Sequence, residues 1–296
     1  DFAPINLFGQ TTTSPYEVKG TYIMNDRGIY HFWIAYDLST TANEGDKASA
    51  ELASITTNIK TETPAANVTA TTTIEKGISG TLEVGADKEY KTIQKAVDAL
   101  KTGIDGPVTI SIQPGVYKEN VLVPAIAGMS ENNTLLITSS TGKSSDVKLH
   151  NNQYSLGYTG DKLAREYGVF TFDGATYTTL RGIEVTIDGN TKYPSVVHVR
   201  NMSRNVTVED CYIHAKMSSN ISDGITLVNM YSLSEPNKNN DHFTLKGSTL
   251  EGGRQGIKLG GTSAVALPKE RGGKILNNTF KNNGTHAIYV TKEDDA

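Results

Sequence analysis

Four segments in the C-terminal half repeat one order of apolar and polar positions: Leu180-Arg-Gly-Ile-Glu-Val185, Val208-Glu-Asp-Cys-Tyr-Ile213, Leu245-Lys-Gly-Ser-Thr-Leu250 and Ile275-Leu-Asn-Asn-Thr-Phe280. Each carries an apolar residue first and sixth, with Gly, Asp or Asn third. A second alternating run follows each one, at Val197-His-Val199, Ile225-Thr-Leu227, Ile257-Lys-Leu259 and Ile288-Tyr-Val290. These second runs begin 17, 17, 12 and 13 residues after the first position of their segments. Short period-two strands recurring about every 30 residues, with small or polar residues at the corners, are the signature of a solenoid. The pattern predicts an all-β chain built as a right-handed parallel β-helix.

The preceding segment predicts how that solenoid starts. Ile93, Ala96, Val97 and Leu100 form the stripe of a short amphipathic helix with Thr92 at its N-cap. Val108, Ile110 and Ile112 then alternate as a strand, Gln113-Pro-Gly115 turns it, and Tyr117, Val121 and Val123 form the next edge. Such a helix covers the open end of a β-helix, where the first coil exposes its lumen and strand edges. At the other end no capping unit follows Val290, so either further coils follow or the acidic Glu293-Asp-Asp295 end guards the edge.

Residues 1–63 read differently, as a complete or partial β-sandwich module. Tyr30-His-Phe-Trp-Ile-Ala-Tyr36 is dense in aromatic and β-branched residues, and Ala48 to Ile55 supplies another period-two stretch. Residues 64–79 are expected to be a linker, the Thr-rich stretch Thr61 to Thr73 with Pro64 running as linker or extended edge into the β-helix at 80–296.

Composition and charge narrow the function classes. With 37% hydrophobic residues the chain is neither disordered nor a membrane span, and no apolar run reaches the roughly 20 residues a membrane helix needs. A net charge of −4 without a basic stripe argues against nucleic acid. The lone Cys211 falls where other coils carry Ile183, Ser248 and Asn278, so it reads as a stacked, inert residue rather than a nucleophile beside His198 or His214. The chain begins at Asp1 without an initiator Met, as expected for a processed or excised piece.

Two resemblances add to this. The block Gly28-Ile-Tyr-His-Phe-Trp-Ile-Ala-Tyr-Asp-Leu38, with Ala42 and Gly45-Asp46, resembles the closing strands of a β-sandwich module attached to secreted bacterial sialidases and other surface proteins. Residues 80–149 resemble the start of two β-helix groups through Gly80-Thr-Leu-Glu-Val-Gly85, Tyr90 to Leu100, Gly106-Pro-Val-Thr-Ile110 and Gly115-Val-Tyr-Lys-Glu-Asn-Val121. One group is pectin methylesterase. The other, matched also by Val123-Pro-Ala-Ile-Ala-Gly128, Asn132-Asn-Thr134 and Ser139-Ser-Thr-Gly142, is the pectin-lyase-like β-helix region of large exported bacterial surface proteins. The longer match implies a secreted, cell-surface, multi-domain setting.

Candidate chemistry is sparse. The esterase resemblance implies a Gln and two Asp on successive coils, but Tyr193 to Val196, Ser219 to Ser222 and Gly253 to Gly256 lack them, and the one Trp is Trp33. An inverting glycoside hydrolase needs two carboxyls about 6.5–9.5 Å apart. Asp223 aligns with Ser195, Gln255 and His286, which leaves one carboxylate where two are required. A pectate-lyase-like enzyme needs carboxylates for Ca²⁺ and a cationic base; Arg200, Arg254 and Lys258 are candidate bases, but Asp210, Asp223 and Asp241 form no calcium motif. The six His show no zinc spacing, and no phosphate loop is present, so no metal or cofactor is expected, Ca²⁺ staying open for the lyase reading without a motif to support it.

One constellation comes from the repeat. Alternation sends Val197/Val199, Ile225/Leu227, Ile257/Leu259 and Ile288/Val290 inward, so His198, Thr226, Lys258 and Tyr289 are expected to form one outward column. Arg200 and Arg254 flank it. The first expectation is a non-catalytic carbohydrate-binding or adhesive stalk whose partner is a polysaccharide or cell-surface glycan. The alternative is a polysaccharide lyase or glycoside hydrolase with Asp223, Lys258 or Arg254 in its site.

Overall fold

The computed structural model of the chain describes residues 42–57, 59, 61–63, 68–150, 168–187, 195–217, 219, 224–231, 239–260, 270–291 and 293–294. The expected Tyr30 to Tyr36 strand lies outside the described residues, as does Asp223. By its internal contacts the chain divides into two units, Asp1–Lys76 and Gly77–Ala296. In the first, Lys47–Leu52 pairs antiparallel with Val68–Thr73, and Ile55–Thr56 pairs with Thr61–Glu62. Val68–Thr73 belongs to the Thr-rich stretch read as linker or extended edge, and its β-branched run pairs as a strand.

The second unit is a parallel β-helix of three sheets. The first sheet stacks Ile78–Val84, Ile104–Ile112, Leu135–Ser139, Thr178–Arg181, Thr207–Glu209, Thr244–Lys246 and Lys274–Leu276. The second stacks Gly115–Lys118, Val147–His150, Glu184–Ile187, Tyr212–Ala215, Thr249–Gly252 and Thr279–Lys281. The third stacks Val121–Pro124, Gly168–Asp173, Ser195–Arg200, Thr226–Tyr231, Gln255–Gly260 and His286–Thr291. From Ile104 onward each of the six coils contributes one strand to each sheet, Ile78–Val84 adds a seventh strand to the first, and residues at equivalent coil positions stack along a column.

The register of the repeat explains the corners. Leu180 pairs with Val208, Val208 with Leu245 and Leu245 with Ile275, all in the lumen. Two residues later the chain turns through the left-handed region at Gly182 (φ 61°), Asp210 (φ 53°), Gly247 (φ 61°) and Asn277 (φ 55°). Only Gly, and Asp or Asn with their short polar side chains, adopt that conformation cheaply. The next position turns inward, where polar side chains satisfy the backbone of the preceding coil. The Cys211 amide donates to Ser248 Oγ at 3.1 Å, and the Ser248 amide donates to Asn278 Oδ1 at 2.9 Å.

The helix Ile93–Ala99 forms where the stripe predicts it, with Ile93, Ala96, Val97 and Leu100 buried and Thr92 accepting from the Lys95 amide. Its first turn is capped in trans. The Glu119 carboxylate accepts from the amides of Ile93 and Gln94 at 2.8 and 2.9 Å. Gln94 in turn imitates a strand: its side-chain amide accepts from Leu122 N at 2.7 Å and donates to Leu122 O at 3.2 Å. That closes the edge of the third sheet where an unpaired strand would otherwise begin. At the far end, Glu293–Asp294 pairs parallel with Glu270–Arg271.

Candidate functional site

The outward face of the third sheet carries the candidate residues, and its register corrects one of them. Leu122 pairs with Thr171, Thr171 with His198, His198 with Asn229, Asn229 with Lys258 and Lys258 with Tyr289. Thr226 is therefore not in this column. It pairs with Ser195 and Gln255, and Gln255 with His286, which makes a parallel second column. The cause is a run of apolar residues: Ile225, Leu227, Val228 and Met230 are all buried, and the lumen pair that aligns with Val197/Val199 is Val228/Met230. Asn229, between Val228 and Met230 as Lys258 is between Ile257 and Leu259, holds the place expected for Thr226. Likewise Thr226, not Asp223, aligns with Ser195, Gln255 and His286.

The two columns are tied to one another. Asn229 Nδ2 donates to Ser195 Oγ at 3.1 Å, and Thr226 Oγ1 donates to Gln255 Oε1 at 3.3 Å. Lys258 Nζ lies over the Tyr289 ring, 5.8 Å from its centroid, and the His286 ring meets Tyr289 edge-on at 5.6 Å. Burial and then the nearby Arg254 guanidinium hold the Lys258 ammonium below its usual pKa. Arg254 precedes this strand, with its amide donating to Ile225 O at 2.8 Å.

Arg200 closes the same strand as His198, and its Nε lies 3.4 Å from Asp173 Oδ1, the residue it pairs with in register. Asn201 also donates to Asp173 Oδ1. The structure thus brings His198, Lys258 and Tyr289 into one column with Asn229, places Arg200 and Arg254 at its sides, and sets Thr226 beside it. Among the described residues neither column contains a carboxylate, and no group of three or more His, Cys, Asp or Glu side chains is arranged to hold a metal ion. No described helix is long and apolar enough to cross a membrane.

A second polar network crosses the second sheet. His214 Nε2 and Lys148 Nζ lie 2.9 and 3.1 Å from Glu184 Oε1, Tyr212 Oη donates to Glu251 Oε2 at 2.9 Å, and the Tyr212 and His214 rings stack at 4.5 Å. Thr186 Oγ1 is 3.3 Å from His214 Nδ1. Both imidazole nitrogens and both carboxylates are engaged, which fits a clasp between coils.

No family model matches the chain, and no curated protein does. Among solved structures, Escherichia coli YbhC is similar over 68% of this chain at 12% identity (TM-score 0.42). The pectin methylesterase PemA from Erwinia chrysanthemi is similar over 66% at 11% (TM-score 0.40), and rice weevil pectin methylesterase over 69% at 12% (TM-score 0.42). The shared feature is the β-helix. The chain spans 64%, 66% and 65% of those chains, under two thirds of their lengths. Identity and superposition this low carry nothing about activity or site.

Proposed function

We propose that the third sheet presents a binding face for an acidic polysaccharide, and that the protein holds the polymer without cleaving it. The observation that carries this reading is the outward column in which Asn229, Lys258 and Tyr289 are partly exposed beyond the buried His198, with Arg200 and Arg254 beside it and no carboxylate in it. Columns in a parallel β-helix repeat about every 4.8 Å, so side chains that donate, accept and stack follow one another at a spacing suited to successive sugar rings. The Lys258 ammonium within the ladder and Arg254 beside it favour a polymer bearing acid groups, while the Arg200 charge is balanced by Asp173. An exported cell-surface setting belongs to the same proposal and rests on the sequence resemblance.

A second reading, elimination at a uronate, is favoured by one observation. The lowered pKa of Lys258 enlarges the share of neutral amine that can take the proton beside a uronate carboxyl. The two readings separate on incubation with pectins, alginate and glycosaminoglycans, followed by assays for reducing ends and for unsaturated uronates absorbing in the ultraviolet. Binding with no new ends is the expected result. New unsaturated ends that disappear in Lys258→Ala would replace the binding role with the lyase.

A further inference from the structure

The three sheets do not begin alike at the end that the helix Ile93–Ala99 plugs. The first sheet starts at Ile78–Val84, which carries Glu83, turns through Gly80 (φ 93°) with a shift of register beside it, and is bridged at Val84 by Tyr90. On the third sheet the free edge at Leu122 is occupied by the Gln94 side chain. Charges, kinks and covering groups of this kind keep strand edges from pairing with another chain.

The second sheet starts with a lighter guard, a single lysine at the end of its first strand. That strand, Gly115–Lys118, pairs with Val147–His150 on one side and has no strand on the other among the described residues. Gly115, which has only backbone to show, is exposed, and Val116 is 65% exposed. Val116 faces outward because it pairs with Lys148, while Gly115 and Tyr117 pair with the lumen residues Val147 and Leu149. A β-branched side chain left in water on an open edge marks a place for a further strand.

The sequence of the edge fits a second copy of itself. Residues directly opposite one another in an antiparallel pair share a face of the sheet. With a two-fold axis at Val116, the two valines cover each other on the outer face, and each Tyr117 lies opposite a Gly115 that has no side chain to obstruct it. Lys118 meets Pro114, so no like charges face one another.

We propose that two copies of this chain associate through Gly115–Lys118, antiparallel, with the two-fold axis at Val116. One short strand from each copy makes a weak dimer, of the class that buries less than about 1,200 Å². Sedimentation velocity over a range of protein concentrations tests it, with melting curves showing that each variant is folded. The intact protein should pass from one copy to two as its concentration rises. Val116→Lys and Val116→Glu each set like charges directly opposite and should move that transition to a concentration at least roughly tenfold higher. An equimolar mixture of the two variants sets Lys against Glu and should dimerise again near the concentration at which the intact protein does. An intact protein that remains single up to millimolar concentration overturns the proposal, as does a dimer that Val116→Lys leaves unchanged. A mixture that associates no better than its components overturns it too, since the axis would then lie elsewhere.

Discussion

At the scale of single residues, the corners decide the coil. Gly182 sits at φ 61°, and a Cβ there would come within 3.1 Å of Gly142 O. Gly182→Val combines a β-branched side chain with a left-handed backbone and should cost about 1–3 kcal/mol, read as a lower urea midpoint with an unchanged slope. Cys211 supplies a second residue-scale test. Burial pushes its thiol up to about 12, and its amide is committed to Ser248, so the native protein should resist a thiol reagent that labels the unfolded chain at once. Corner and stack were both legible in the sequence because Gly, Asp and Asn mark left-handed positions and Cys211 fell on the aligned inward position. The identity of Asn229 as a column member was not legible. Ile225, Leu227, Val228 and Met230 offer two equally apolar alternating pairs, and only the pairing of Val228 with Val197 and Ile257 chooses between them.

At the scale of elements, strands are held to strands by side chains as well as by backbone ladders. On the second sheet, burial raises the Glu184 pKa, and the hydrogen bonds and charges of His214 and Lys148 outweigh it, so the carboxyl sits below its usual range. A depressed folded value means that Glu184 stabilises the fold above the ordinary carboxylate range and that this contribution is lost as pH falls through the depressed value. Glu184→Gln should therefore flatten the acid limb of the stability profile while lowering stability at neutral pH; an unchanged acid limb would assign that limb to other carboxyls. The helix Ile93–Ala99 was readable as an element from its stripe and cap. Its fastening to Leu122 through Gln94 was not, because an exposed-looking Gln within a helix carries no pattern of its own.

At the scale of the molecule, the lumen is a column of apolar side chains whose burial falls at the last described coil. Ile257 and Leu259 are 0% and 1% exposed, whereas Ile288 and Val290, which pair with them in register, are each 45% exposed. Ile257→Ala should cost about 2–5 kcal/mol and Ile288→Ala clearly less, measured side by side by chemical denaturation. The fold itself was legible because its repeat states both period and corner. The degree to which the outward face is open was not, since alternation gives the direction of Thr171 and His198 but not that both are buried.

The central claim is that the register-defined column is a binding face for an acidic polysaccharide. Its most direct test is a titration of polygalacturonate, alginate and heparin against the intact protein and against Lys258→Ala. The account predicts saturable binding of at least one of them, weakened roughly tenfold or more by the substitution and by added salt, with no new chain ends formed. Equal affinity in the intact protein and Lys258→Ala would contradict it.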